Sequence, residues 1–176
     1  MEPIEIADGL WRWTAPHPDW SPAAPGSSGD WPRDVGCVLH DTGEHAVFID
    51  PLADDADAGF WDWADARCAG RSVVVLTTLG FHRRSRARFV ERYGAGEAAP
   101  ASVTALPFPE LDETMYWLVQ PRALVPGDRL LGGEAGGLAL CPQSWLRYID
   151  PEPTLEQARS QLRVLLDLPV EAVVVS

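Results

Sequence analysis

The sequence predicts a layered α/β domain, and three observations carry that expectation. Predicted elements run strands, helix, strand, helix, strands, helix, strand, an order that puts helices on both faces of a sheet. Ser72–Thr77 and, apart from Glu171, Val170–Val175 are apolar runs rich in β-branched residues, the signature of strands buried on both faces. No internal repeat is present, which argues against a solenoid or propeller.

Ile4-Glu5-Ile6 and Leu10-Trp11-Arg12-Trp13 alternate around the turn signal Asp8-Gly9 and predict a first strand pair. Pro16 to Pro32 is rich in Pro, Gly and Trp and reads as a long loop that covers something or lies free. Val35–Leu39 and Ala46–Asp50 flank Asp41-Thr42-Gly43-Glu44, the strongest hairpin signal in the chain. Asp54 to Cys68 predicts a helix with Asp54, Asp55 and Asp57 as N-cap candidates and Gly70 beyond its end. Ser72–Thr77 is the central strand. Ser85 to Tyr93 predicts a second helix closed by Gly94. Val103–Leu106 is a short strand. Met115–Gln120, Ala123–Val125, Arg129–Leu131 and Leu138–Cys141 are expected to form a meander. Thr154-Leu155-Glu156-Gln157 is a capping box opening a helix with Leu155, Ala158, Leu162, Leu165 and Leu166 on one face, stopped by Pro169. Val170–Val175 is then a last buried strand.

The chain has 176 residues and reads as one domain over 1–176, with a domain lacking its C-terminal end left open because the sequence halts in an apolar run. The formal net charge is −12, so non-specific nucleic-acid binding and attraction to anionic membranes are not expected. No run of about 20 apolar residues is present, and the acidic start Met1-Glu2-Pro3-Ile4-Glu5 is no secretory signal. A cytoplasmic location follows as the expectation, with Cys37, Cys68 and Cys141 as reduced, buried thiols. All basic residues are Arg, which with abundant Ala, Gly and Pro points to a GC-rich, bacterial coding genome.

Three stretches carry a family resemblance. Val47-Phe48-Ile49-Asp50 is a hairpin strand ending in aspartate. Val74-Val75-Leu76-Thr77 leads into a loop and a helix. Leu124-Val125-Pro126-Gly127-Asp128-Arg129-Leu130-Leu131 is a Gly-Asp strand. Together with an apolar segment over Pro169–Ser176, they resemble the metallo-β-lactamase superfamily over most of the chain. The resemblance implies a four-layer αββα sandwich with a metal-dependent hydrolase site at the strand ends. The family motif Thr-His-x-His-x-Asp-His, laid on this chain, becomes Thr77-Thr78-Leu79-Gly80-Phe81-His82-Arg83. Thr78 and Gly80 stand for the first two histidines, His82 for the aspartate and Arg83 for the last histidine. No histidine follows before Asp128, which alone matches a ligand position. A zinc site needs three or four N, O or S donors, and Arg repels a cation. The resemblance is therefore to a divergent member with a degenerate metal motif, no metal and no cofactor.

The candidate groove consists of Asp50, Thr78, His82, Arg83 and Asp128, with His82 and Asp128 the candidates for any catalysis. Arg83 is expected to point into the groove beside Asp128 or Asp50 and replace the metal's charge; Arg84, Arg88 and Arg92 recur at helical spacing and read as a solvated basic face. His82 otherwise reads as a loop histidine packed on the helix, and Asp128 as a turn residue. His40 and His45 flank the hairpin turn and read as an exposed hairpin end. His17 lies in the Pro/Trp-rich loop. Of Trp61 and Trp63, two apart on one helix, one is expected in the core and the other on a different surface. The leading function is a metal-free, non-hydrolytic domain that binds a small anionic ligand or regulates. A hydrolase with an altered metal set or none, and a Trp-rich interaction module, are the alternatives. Whether the protein is an enzyme is left open.

Overall fold

The computed structural model describes residues 1–133 and 136–175. Eleven strands are named among them: β1 Ile4–Ala7, β2 Leu10–Pro16, β3 Asp34–Asp41, β4 His45–Ile49, β5 Ser72–Leu76, β6 Val103–Phe108, β7 Glu113–Leu118, β8 Ala123–Val125, β9 Leu130–Gly132, β10 Leu138–Leu140 and β11 Ala172–Val173. The α-helices are α1 Ala58–Cys68, α2 Arg86–Tyr93 and α3 Leu155–Leu162. One sheet runs in the order β1-β2-β3-β4-β5 and a second in the order β11-β8-β7-β6. Both mix antiparallel pairs with a single parallel one, β4 with β5 and β11 with β8.

Strand parity sorts the core into three layers. On β4, Ala46 and Phe48 join Phe60, Trp61 and Ala64 of α1 and Phe89 of α2, while Val47 and Ile49 meet Tyr116 and Leu118 of the second sheet. On β5, Val73 and Val75 face the helices and Val74 and Leu76 face the second sheet. Two apolar faces explain why these strands carry no polar alternation. The other face of the second sheet, with Met115, Trp117 and Leu124, packs on Ala158 and Leu162 of α3. The helix ends follow their local chemistry. Asp57 caps α1 by accepting the Phe60 N–H at 3.0 Å, Gly94 closes α2 in the left-handed region at φ 62°, and Thr154 and Gln157 form the capping box of α3.

Several expectations need correction. The four-strand meander is broken: β7 pairs with β8, but beyond the Pro126-Gly127-Asp128 turn β9 and β10 pair only with each other among the described residues. The third helix stops at Leu162 and continues as a 3-10 turn over Arg163–Asp167, which rotates Leu166 out to 80% exposure. Val170–Val175 is no central strand. Only Ala172–Val173 pair, at the sheet's edge, and Val174 alone is buried; the expectation also reached Ser176, outside the described residues. Trp61 and Trp63 both join the first core, Trp61 against Phe89 and Trp63 against Trp11 and Trp13, on either flank of Phe60. His40 is not at an exposed end: it is 3% exposed in the strand register opposite Val47, and neither ring nitrogen has a hydrogen-bond partner among the described residues. Burial lowers its pKa and keeps it neutral. The three cysteines are free and buried, as expected.

Candidate ligand site

Three chain segments meet where β4, β5 and β8 end. β4 delivers Asp50, 1% exposed, in the left-handed region at φ 49°, and its N–H donates to the Leu76 carbonyl at 3.0 Å. That bond joins the ends of β4 and β5 and aims the Asp50 carboxylate under the loop that follows β5. There Oδ1 accepts the Thr78 N–H at 2.9 Å and Oδ2 the Thr78 hydroxyl at 2.5 Å. The loop then turns, with the His82 N–H donating to the Leu79 carbonyl at 2.9 Å, and brings His82 back over the same carboxylate. His82 Nδ1 lies 3.0 Å from Asp50 Oδ2 and 3.1 Å from the Thr78 hydroxyl.

The third segment is Pro126-Gly127-Asp128. Gly127 sits against the loop so closely that a Cβ there would lie 2.6 Å from Thr78 Oγ1, so no larger residue fits. The buried carboxylate of Glu113 braces the turn from the other side, Oε1 accepting the Gly127 N–H at 3.1 Å and Oε2 the Arg129 N–H at 3.0 Å. Asp128 is thereby held with Oδ1 3.2 Å from His82 Nε2.

His82 is thus clamped between two carboxylates, one on each ring nitrogen. Burial disfavours charge on the ring, but hydrogen bonds and attraction from Asp128 and Asp50 outweigh it and push its pKa up to about 9. At neutral pH the ring is an imidazolium donating from both nitrogens. In return, although burial opposes it, the His82 charge holds the Asp128 carboxyl below its usual range, with help from Arg129 and Arg84.

Of the five expected groove residues, the structure brings Asp50, Thr78, His82 and Asp128 together. Arg83 is not with them. It is exposed and has no ion pair or hydrogen bond from its guanidinium among the described residues. Its neighbour takes that place: Arg84, at φ 37°, donates from Nη1 to the Gly36 carbonyl at 2.7 Å and the Asp50 carbonyl at 3.0 Å. The left-handed backbone at Arg84 turns its own side chain inward, while Arg83, which falls at the last position of the family motif, faces out. Of the expected basic face only Arg84 turns inward, while Arg88 and Arg92 stay at the surface in ion pairs. Arg88 pairs with Asp55 and lies over the Trp61 ring, and Arg92 pairs with Asp65 at 2.6 Å. His17 reaches the site's edge, its pKa lowered first by burial and next by the Arg84 charge, and its ring packs edge-on against Trp31.

Sequence reasoning missed Glu113 and Arg129, whose side chains are almost fully enclosed. Arg129 is 1% exposed, donates from Nε to the Leu111 carbonyl at 3.0 Å and from Nη2 to the Tyr148 hydroxyl, and leaves Nη1 unpartnered. Its Nε is 3.9 Å from Glu113. Burial pushes the Glu113 pKa up to about 7 despite the opposing Arg129 charge. Glu113 opens β7 and Arg129 directly follows Asp128, and no sequence spacing couples the two.

On the far side of the Thr78 loop lies an open cavity of about 450 Å³ between the end of β5, α2 and the β6–β7 turn. Thr77, Thr78, Arg83, Arg86 and Asp112 line it, with Leu79 among its apolar walls.

A metal does not fit the donors. The His82 imidazole has both nitrogens turned onto Asp50 and Asp128, which leaves neither free to ligate a cation. Among the described residues no group of three or more His, Cys, Asp or Glu side chains is arranged to hold a metal ion.

No protein-family model and no curated protein matches the chain. Solved structures do. TMB-1 is similar at 15% identity, with 99% of this chain and 88% of that one covered and a TM-score of 0.55. The metallo-β-lactamase DIM-1 exposed to ceftazidime is similar at 10% identity, 99% and 87% coverage and a TM-score of 0.57. A metallo-β-lactamase from Erythrobacter litoralis with β-mercaptoethanol in its active site is similar at 14% identity, 99% and 87% coverage and a TM-score of 0.56. The chain has the metallo-β-lactamase fold. In this metallo-β-lactamase fold the strand-end loops carry Asp50, the Thr77–Arg83 motif segment and Asp128, and they close on an imidazolium. No helix among the described residues is long and apolar enough to cross a membrane.

Proposed function

We propose that the protein is a metal-free domain that binds a small ligand, or regulates through one, without hydrolysing it. The observation that carries this reading is the clamp on His82. Both ring nitrogens are engaged, at 3.0 Å by Asp50 and at 3.2 Å by Asp128, so the histidine and carboxylates that would hold a metal are spent on each other. Without a metal there is no water of lowered pKa to act as hydrolytic nucleophile. A protonated ring with both N–H groups donated is also a poor general base, since it has no free lone pair. The cavity beside the clamp has the volume of a small-molecule site.

The interaction-module reading gains no support from the tryptophans. Trp13, Trp61 and Trp117 are buried in the core, Trp11, Trp63 and Trp145 pack against it, and Trp20 donates to the Trp31 carbonyl at 2.9 Å within the long loop.

Elemental analysis of protein purified without chelators, with assays on generic ester and lactam substrates, tests the proposal. No stoichiometric zinc, iron or manganese and no turnover are expected. About one metal per chain surviving dialysis, with activity lost in His82→Ala, overturns it.

A further inference from the structure

The clamp consumes its own charges, but the adjoining cavity does not. Three polar groups on its wall have nothing to bind within the described protein. The Arg83 guanidinium is exposed and unpaired. The Asp112 carboxylate, set in the left-handed region at φ 50° where the 3-10 turn Pro109–Leu111 ends, makes no hydrogen bond or ion pair. Thr77 Oγ1 is enclosed and has no hydrogen-bond partner. A fourth group, Arg86, is tied only to Glu97, whose side chain is 62% exposed, a contact that solvent weakens. Leu76, Leu79, Pro107 and Pro109 supply apolar wall between these groups.

The signs on the wall decide the ligand. A simple anion meets Arg83 and Arg86 but also faces Asp112 and Glu97. A simple cation meets the carboxylates but faces two guanidinium groups. The net charge of −12 further repels an approaching anion. A molecule that carries both charges and no net charge satisfies both arginines and Asp112 and pays no long-range penalty. We infer that the cavity binds a small zwitterion of the free amino acid or dipeptide class, its carboxylate on Arg83 and Arg86 and its ammonium on Asp112, with the side chain against the Leu76–Leu79 wall. This rests on the reading of the protein as a small-ligand binder and names the ligand's chemistry.

The test uses the intact chain and four probes: L-leucine, glycyl-L-leucine, N-acetyl-L-leucine as the anion alone, and L-leucinamide as the cation alone. Amide chemical shifts are followed by ¹H–¹⁵N NMR as each is titrated to about 10 mM, the weak end of specific affinity. Leucine or the dipeptide is expected to move the amides of Thr77–Gly80 and Asp112–Thr114. Each single-charge analogue is expected to bind about tenfold or more weakly, as are both zwitterions to Arg83→Ala and Asp112→Asn, because each change deletes one charge-assisted contact. Val164→Ala, at an exposed position of the 3-10 turn after α3 and outside the cavity lining, is expected to leave binding unchanged. If N-acetyl-leucine binds as well as leucine, the site is an anion site and the zwitterion assignment falls while small-ligand binding stands. If no probe moves these amides, the assignment falls outright. The small-ligand reading itself fails on a different measurement, the metal and turnover assays above.

Discussion

Two buried charge clusters brace the same Pro126–Asp128 turn and differ in how completely they are paired. In the Asp50–His82–Asp128 cluster every charged group has an opposite partner within 3.2 Å, and Thr78 fills the remaining acceptor sites on Asp50. In the Glu113–Arg129 cluster the ion pair is long at 3.9 Å, Arg129 Nη1 has no partner, and the carboxylate spends its acceptors on backbone N–H groups. The first cluster stabilises its charges and drives the His82 pKa up to about 9; the second fails to, and the Glu113 pKa rises to about 7 because burial wins. Close pairing, rather than burial of opposite charges as such, decides whether a buried ion stays an ion.

The largest effect expected from breaking this comparison is at Asp50. Asp50→Ala strips the His82 ring of one carboxylate and leaves the Thr78 N–H and hydroxyl without acceptors, all in a dry site. Removing one partner of a buried pair costs about 3–5 kcal/mol. Chemical denaturation at pH 7 checks it. A loss below about 1 kcal/mol, the range of an exposed pair, breaks the comparison.

The pH dependence follows next in size. The folded His82 pKa of about 9 lies above the ordinary 6.5, so the clamp's contribution is fully present below pH 6.5 and is lost as pH rises through 9. The loss across that window is about 3 kcal/mol at most, from the linkage of 1.36 kcal/mol per unit. Melting curves from pH 8 to 9, above the Glu113 titration near 7, should show falling stability in the wild type and a flat response in His82→Gln. Below pH 6.5 two groups act in opposite senses: His40, held neutral by burial, loses stability as the unfolded chain's imidazole takes up a proton, while Glu113, whose pKa is raised, gains it.

How much of this was legible in the sequence depends on range. Strands and helices were, because the apolar runs of β4 and β5 and the caps of α1 and α3 are local signals. The identity of three clamp residues was legible too, since Asp50, His82 and Asp128 each end a recognisable strand or loop. What joins them was not. Whether Arg83 or Arg84 turns inward depends on a single left-handed residue in the loop, which residue type does not announce for Arg. Glu113 and Arg129 are brought together by the fold of the second sheet, a contact between residues that no spacing rule couples. Val170–Val175 was misread because an apolar run has the same appearance at a sheet's edge and at its centre.

The weaker cluster gives the third expectation. Arg129→Met removes a cation from beside Glu113 but keeps the side-chain volume, and Glu113 can answer by taking a proton. The cost is expected to be about 1–3 kcal/mol, the range for losing a hydrogen-bonded charged group. It should be smaller at pH 6 than at pH 8, because below its pKa of about 7 the acid is already neutral. Stability curves at the two pH values measure this, and an equal loss at both shows that Glu113 does not adjust.

The smallest contrast separates the two neighbouring arginines. Arg84 holds the Gly36 and Asp50 carbonyls at 2.7 and 3.0 Å and so ties β3 to the end of β4 directly behind the clamp, whereas the Arg83 guanidinium holds nothing within the protein. Arg84→Ala is expected to cost about 1–3 kcal/mol, since two charge-assisted bonds to the carbonyls of buried residues are lost. Arg83→Ala should lie within about 0.5 kcal/mol of the wild type, as exposed substitutions away from such features do. The difference tests the placement of the loop itself. If Arg83→Ala is the more destabilising of the two, the motif loop is wound one residue differently from the structure described, and Arg83 rather than Arg84 backs the clamp. Equal and negligible effects mean that neither arginine supports it and that the carboxylates alone hold His82.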